Sequence, residues 1–289
     1  MAVYERTYHP YLGPLTGPRW RFLVLPRYAF KDVFKSKLFV AFLVLCYLVP
    51  LLIALTIYTT NNLKFLEFFQ ATFGEQFAPQ FPASAYRSWF MIPQGILAFL
   101  MALILGPTLV SKDLRNNALP LYLSRPFTRA EYIIGKASVL AIMISAITWV
   151  PGLMLFFLQS YLQGWGWMTS NFRSAVAIFF GCWLLIALLS TISLALSAYM
   201  KWKTLAQGMY FLLFIATAAF GGFVNLLFST QWGDLFNLST MFIHVWAWMF
   251  GASVGSPIPV PVAFLAVLGY AAFFLALLWR KVQAYEVVR

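Results

Sequence analysis

Six long apolar stretches, each free of Asp, Glu, Lys and Arg, limit what this chain can fold into. A helix needs about 20 apolar residues to cross the hydrocarbon core of a bilayer, and each stretch is about that long. The sequence therefore predicts an all-α polytopic membrane protein with six transmembrane helices. The predicted spans are residues 38–58, 89–110, 137–158, 174–200, 204–228 and 262–279.

The composition excludes a water-soluble globule and argues against a nucleic-acid-binding protein. Charged residues make up 10% of the chain and hydrophobic residues 62%, whereas about a quarter of the residues in soluble domains are charged. The formal net charge of +12 is gathered in short clusters beside the apolar stretches. Basic residues in such places meet anionic headgroups. We therefore expect membrane lipids, and no nucleic acid, as partners of these clusters.

Lys and Arg are distributed unevenly between the connections. Seventeen of the 20 lie in the N-terminal segment, the second and fourth connections and the C-terminal tail. The positive-inside rule therefore predicts that both termini and these two connections are cytoplasmic. On this topology residues 1–37 form a cytoplasmic tail and a surface helix, residues 38–280 form the six-span transmembrane domain, and residues 281–289 form a second cytoplasmic tail.

The segment before the first span has a helical charge pattern. Arg27, Lys31 and Lys35 recur every four residues, which places them in one stripe of a helix. Apolar residues, among them Val33 and Phe34, occupy the opposite side. The pattern predicts an amphipathic helix on the cytoplasmic membrane surface; the alternative is a solvated basic flank.

Residues 235–250 form a shorter apolar stretch that four polar residues interrupt. A seventh crossing here would place Arg280 and Lys281 outside, against the positive-inside rule. The sequence therefore predicts an extracytoplasmic interfacial or re-entrant helix before the last span, and both forms stay open. Trp246 and Trp248 suit a position at headgroup depth.

Three small residues, Ser190, Ser193 and Ser197, recur at helical spacing in the fourth predicted span. Small residues allow the backbones of membrane helices to approach closely. The stripe therefore predicts close helix packing, either within one chain or between two copies.

Tests for catalytic and metal sites give little. Residues 251–255 spell G-x-S-x-G, but a nucleophile elbow needs a preceding strand and a nearby His and acid. His9 and His244 are the only histidines, so one chain cannot build a His-based metal site. Gly135-Lys136 lacks the upstream glycine and the hydroxyl residue of a P-loop. We predict no catalytic residues, no metal site and no cofactor bound by this chain.

The second connection, residues 111–136, mixes charge with apolar residues in a way that a solvated loop would not. Its leucines need a surface to bury against, and they are Leu114, Leu119, Leu121 and Leu123. Ser124-Arg125-Pro126 predicts an extended turn, since the residue before proline avoids the helical region. Thr128 and Glu131 have the spacing of a capping box that starts the next helix.

Part of this connection is similar to the inner loop of ABC transporter type-2 (ABC-2 type) permeases, the membrane subunits of many bacterial ATP-driven exporters. The similarity rests on Leu123-Ser124-Arg125-Pro126, Arg129 and Tyr132-Ile133-Ile134-Gly135-Lys136. In that family the loop is a coupling helix inserted into a groove of the ATPase subunit. The resemblance implies that the docking residues here are Asp113, Leu114, Arg115, Asn116, Asn117, Leu119, Leu121, Tyr122, Leu123, Ser124, Arg125 and Pro126.

The sequence departs from the family pattern at two places in this contact zone. Lys112 stands where an acid is common, and Asn116-Asn117-Ala118 replaces a Gly-Thr-like turn. The resemblance otherwise implies a permease subunit of an ATP-binding-cassette exporter in the bacterial cytoplasmic (inner) membrane. Its partners would be an ABC ATPase subunit, which carries ATP and Mg, and a second permease copy or a homologue.

Two other functions remain open on the residues alone. One is a membrane scaffold or mechanotransmitter that an ATPase partner drives without solute movement. The other is an integral-membrane enzyme, which the sequence disfavours because no acid, base or metal ligands converge. The cargo does not follow from the sequence, since apolar spans suit a lipid-like cargo and the surrounding lipid equally well.

The charge distribution gives a testable topology. After replacement of Cys46 and Cys182, single cysteines at Ser170 and Ser256 should react with an impermeant thiol reagent added to intact cells. A cysteine at Asn117 should react only after the membrane is opened. Labelling of residue 117 from outside intact cells would overturn the orientation.

Overall fold

The structure, a computed structural model, describes residues 24–74, 81–116, 128–253 and 256–283. Within these ranges the chain is helical and has no strand. The α-helices are α1 (Val24–Phe34), α2 (Lys37–Thr60), α3 (Leu63–Phe73), α4 (Ile92–Arg115), α5 (Arg129–Ile147), α6 (Trp149–Gln163), α7 (Trp165–Ser170), α8 (Phe172–Tyr199), α9 (Lys203–Phe228), α10 (Leu238–Met249) and α11 (Val260–Gln283). A π-helical turn (Tyr86–Met91) leads into α4, and a 3₁₀ turn (Trp232–Phe236) precedes α10.

Six helical segments are long and apolar enough to cross a membrane, which confirms the predicted number of spans. They are Lys37–Thr60, Tyr86–Arg115, Arg129–Gln163, Phe172–Tyr199, Lys203–Phe228 and Val260–Gln283. Each helical segment begins before the predicted apolar stretch, and most of them also end after it. The helices are longer because they continue into polar residues at their ends. We call the side where α1, the end of α4 and the start of α5 meet the loop face, and the opposite side the far face.

Helix α1 agrees in part with the predicted amphipathic helix. The basic stripe of Arg27, Lys31 and Lys35 is exposed, while Leu25 and Pro26 are buried. The proline is the third residue of the described helix, and helices tolerate proline near their start. The helix packs against α5 and α2. Its contact with a membrane surface stays a prediction.

The third span is two helices rather than the single helix that the sequence predicts. Helices α5 and α6 meet at Thr148, whose φ of −110° and ψ of −96° are not helical. Pro151 follows three residues later and has no N–H to donate to Ile147. The break therefore has an identifiable cause in the proline.

Pro50 and Pro107 lie inside α2 and α4, and each of these prolines removes one backbone donor. Pro50 in α2 frees the carbonyl of Cys46, and Pro107 in α4 frees the carbonyl of Leu103. Glutamine side chains from other helices fill both positions. Gln94 Nε2 donates to the Cys46 carbonyl at 2.9 Å, and Gln207 Nε2 donates to the Leu103 carbonyl at 3.2 Å.

The serine stripe of α8 packs within the chain, against α4. Ser193 Oγ donates to the carbonyl of Ala102 at 3.0 Å, and Ser197 Oγ accepts from the N–H of Ser111 at 2.9 Å. A Cβ at Gly106 would collide with the side chain of Ser193. Of the two alternatives that the sequence left open, the structure shows packing within one chain.

Helix α10 is a short helix on the far face. Its 12 residues rise about 18 Å, which is less than the hydrocarbon thickness. Trp246 is buried, because its indole ring fills a slot between Gly95 of α4 and Gly181 of α8. The ring of Trp246 therefore contacts other helices of the chain, whereas Trp248 is 53% exposed. The expected headgroup depth of the two residues stays a prediction.

Arg173 caps the end of α10. Its Nε donates to the carbonyl of Met249 at 2.9 Å and its Nη2 to the carbonyl of Trp248 at 2.5 Å. The following Gly251 has a φ of +74°, which permits the chain to turn at the helix end. A helix thus precedes the G-x-S-x-G spelling, whereas a nucleophile elbow needs a strand.

The fifth span, α9, is the least covered by the rest of the chain. Only 6% of its apolar window is buried, against 61% for the fourth span. On the loop-face half, Tyr210 and Phe214 pack on Phe99 at ring distances of 5.1 and 4.8 Å. On the far face, Asn225 donates to Asp234 at 2.8 Å and accepts from the N–H of Gly233 at 2.7 Å.

The glutamine bonds can be tested with a double-mutant cycle. Gln94→Leu should lower the free energy of unfolding by about 1–3 kcal/mol, because the Cys46 carbonyl then has no donor inside the bilayer. In a Pro50→Ala background the new backbone N–H can donate to that carbonyl, so Gln94→Leu should cost much less. The measurement is unfolding in mixed detergent micelles; equal costs in both backgrounds would contradict this role.

Candidate functional site

Four of the twelve predicted docking residues are described, and they lie at the loop face. Asp113, Leu114, Arg115 and Asn116 form the end of α4, and α5 begins at Arg129. The other predicted docking residues lie outside the described residues. They are Asn117, Leu119, Leu121, Tyr122, Leu123, Ser124, Arg125 and Pro126.

The four described residues differ in their surroundings. Leu114 is 6% exposed and packs in the apolar core, so it finds the burial it needs within the chain. Arg115 and Asn116 are exposed, whereas the side chain of Asp113 is mostly buried. Of these four residues, Arg115 and Asn116 therefore offer exposed side chains to a partner.

The start of α5 is fixed by the predicted capping box. The N–H of Glu131 donates to Thr128 Oγ1 at 3.2 Å, and the N–H of Thr128 donates to Glu131 Oε2 at 2.7 Å. Each group satisfies one donor that the first turn of a helix leaves unpaired. The capping box predicted from the sequence is confirmed, and it sets where the loop ends.

A nearly buried ion pair joins the two ends of the loop. Lys136 Nζ of α5 lies 2.7 Å from Asp113 Oδ2 of α4, and their side chains are only 10% and 12% exposed. The hydroxyl of Tyr132 donates to the same carboxylate oxygen at 2.9 Å. The Lys136 ammonium also lies over the Tyr132 ring, 5.6 Å from its centroid. The end of α4 is thus fixed to the first two turns of α5.

Sequence reasoning did not find this pair, although signals for it existed. Tyr132 and Lys136 are four residues apart, which places them on one face of a helix. Asp113 and Glu131 are the only acids in residues 111–136, and the capping box already uses Glu131. Asp113 was therefore the acid left to pair with Lys136.

A second, more exposed ion pair joins α1 to α4. Asp32 accepts from Lys112 at 2.9 Å and from Lys35 at 3.3 Å. The hydrogen bond from Lys112, with that from Lys35, holds the pKa of the Asp32 carboxyl below its usual value. The pair is therefore present at neutral pH and is lost when the pH falls through that lowered pKa. Lys112, which departs from the family pattern, has its partner in α1.

The remaining candidate groups are scattered. Among the described residues no three His, Cys, Asp or Glu side chains lie close enough together to hold a metal ion. His244 is buried in α10, and its ring nitrogens lack a hydrogen-bond partner in the part of the chain that the structure describes. His9 lies outside the described residues.

Comparison with known protein families supports the resemblance to a family of membrane permeases. The profile of a family described as ABC-2 family transporter protein matches residues 27–280, from α1 to the last helix. Comparison with curated proteins gave no match. The matched region contains five of the six candidate spans, residues 260–280 of the sixth, and the ion pairs Asp32–Lys112 and Asp113–Lys136. The chain therefore belongs to the ABC-2 transporter family, as a multi-pass membrane permease.

Proposed function

We propose that this chain is the membrane subunit of an ATP-driven exporter and that a separate ABC ATPase docks on residues 111–136. ATP and Mg are bound and ATP is hydrolysed on the partner, while this chain supplies the six-span path. A second permease copy or a homologue completes the pathway. The complex lies in the bacterial cytoplasmic (inner) membrane, with the loop face and both termini in the cytoplasm.

The observation that carries the proposal is the ion pair between Asp113 and Lys136. A docking loop transmits force only if its two ends are tied to the spans that it must move. Separating a nearly buried ion pair would leave an uncompensated charge on each side, which costs free energy. Because the pair resists separation, the two ends of the loop move as one body. A displacement of the loop by an ATPase therefore displaces the ends of α4 and α5 together.

The packing behind the loop supports transmission into the membrane. Both α4 and α5 pack on α8, the fourth span, which also contacts α6, α9, α10 and α11. The break at Thr148 lies about halfway along the third span and gives α5 a place to pivot relative to α6. Motion at the loop face thus has a continuous protein path towards the far face.

The source of energy follows from the charges of the spans. Carriers that use an ion gradient usually keep ionisable residues within their spans. The six predicted spans contain no Asp, Glu, Lys or Arg. This distribution supports energy input from a partner protein at the loop face.

The docking role of the loop can be tested by substitution of its leucines. Leu119→Asp and Leu121→Asp should place a charge in the contact and cost several kcal/mol of binding free energy. We expect normal membrane levels of the permease and loss of the co-expressed ATPase from pull-downs. Leu119→Met and Leu121→Met are matched controls that should retain it. Unchanged ATPase recovery for both Asp variants would mean that docking lies elsewhere.

The coupling role of the ion pair needs a different readout, because it should matter after docking. Asp113→Asn leaves Lys136 buried and unpaired, at a cost of up to about 3 kcal/mol. We expect the ATPase to remain bound but the permease-dependent stimulation of ATP hydrolysis in proteoliposomes to fall. The exchanged pair Asp113→Lys with Lys136→Asp should recover part of it.

The control for this experiment is the exposed Lys35→Gln, which removes a surface charge from the same face and should change little. An Asp113→Asn variant that stimulates hydrolysis as well as Lys35→Gln does would contradict the coupling role. Loss of ATPase binding in Asp113→Asn would assign the residue to docking instead.

A further inference from the structure

A cleft of 670 Å³ opens at the loop face between α1 and the adjoining ends of α2, α4, α5 and α9. Four of its lining residues, Lys112, Asp113, Asn116 and Lys136, belong to the segment 111–136 on which we propose that the ATPase docks, and the others lie outside that segment. Its volume is that of a small-molecule binding site. Neither the ion pairs nor the spans explain why the chain leaves this space open.

The charged end of the cleft has more cations than anions. Lys112, Lys136 and Lys203 line it together with Asp32 and Asp113. Asp113 neutralises Lys136, whereas Asp32 is shared between Lys112 and the neighbouring Lys35. Lys203 is exposed and makes no ion pair with any residue in the described ranges. The opening is therefore short of negative charge around Lys112 and Lys203.

The rest of the cleft has an apolar wall. Ile104, Leu105 and Leu109 of α4 and Phe39 of α2 line it, and all four lie within candidate spans. Lys112 is near the end of the second span and Lys203 begins the fifth. The lysines thus stand where headgroups lie, and the apolar wall extends from them towards the hydrocarbon core.

We propose that this cleft binds one anionic phospholipid. Lys112 and Lys203 contact its phosphate, and one acyl chain lies along Ile104, Leu105 and Leu109. A soluble anion would use the lysines but make no contact with the apolar wall, and a neutral lipid would use the wall but leave the charge of Lys203 unmatched. An amphiphile with a negative headgroup matches both parts. Basic pockets between membrane helices bind acidic lipids for the same reason.

The Asp32 carboxylate competes with the lipid phosphate for Lys112. The pair is about half exposed on both sides, so Lys112 can exchange one oxygen partner for the other at small cost. Occupancy of the cleft would thus loosen the link between α1 and α4. The competition predicts opposite effects for two nearby substitutions, which a general attraction to anionic membranes would not produce.

The test is binding of phosphatidylglycerol to the purified chain in detergent, measured by native mass spectrometry. Phosphatidylcholine with the same acyl chains is the comparison lipid. The ATPase is not needed for either measurement. We expect one phosphatidylglycerol per chain, bound at least about fivefold more tightly than phosphatidylcholine. Lys203→Gln should weaken phosphatidylglycerol binding about fivefold, since one lysine near a headgroup contributes about that factor. Asp32→Asn should strengthen it by a similar factor.

Lys201→Gln is the matched control, because it removes an exposed lysine two residues away that does not line the cleft. It should bind like the unaltered chain. Equal weakening by Lys201→Gln and Lys203→Gln would overturn the site in favour of a diffuse basic surface. Weaker binding by Asp32→Asn, or full competition by the headgroup without acyl chains, would also overturn the proposal.

Discussion

Hydrogen bonding of the backbone inside the bilayer is the constraint on which the rest of this structure depends. In hydrocarbon no water replaces a missing partner, so side chains must satisfy the carbonyls that Pro50 and Pro107 leave without a backbone donor. Gln94 and Gln207 do so for the carbonyls of Cys46 and Leu103. Gln159 similarly donates to the carbonyl of Phe81, at 2.9 Å, in the turn before the second span. Three amides thus fix the relative positions of helices that are distant in sequence.

These polar bonds also determine which helices come close. The contact of α4 with α8 joins two backbones so closely that Gly106 has no room for a methyl group. There the bonds of Ser193 and Ser197 run directly to α4. Lipid and protein interiors are equally apolar, so small residues and hydrogen bonds, rather than exclusion of water, hold such helices together. The loop-face ion pair between Asp113 and Lys136 then extends this connected unit to the end of the membrane domain.

The sequence predicts some parts of this arrangement well because single residues or short runs determine them. Length and apolarity are sufficient for the six spans, and Thr128 with Glu131 is sufficient for the start of α5. The slot for Trp246 was not predictable, because it requires glycines from two different helices to meet. The break at Thr148 was readable in principle from Pro151, but whether a proline breaks or only bends a span depends on its neighbours.

Helix α9 has a consequence for how the protein responds to its membrane. Its aromatic contacts and the bond from Gln207 hold one half, and Asn225 holds the other end, while the rest of the described chain covers little of its length. A free helix adapts to a thinner or thicker bilayer by tilting. One fixed at both ends cannot tilt alone, so a change in bilayer thickness must be absorbed by α4 and by the turn at Asp234. The thickness of the surrounding membrane therefore changes the relative free energies of the permease conformations.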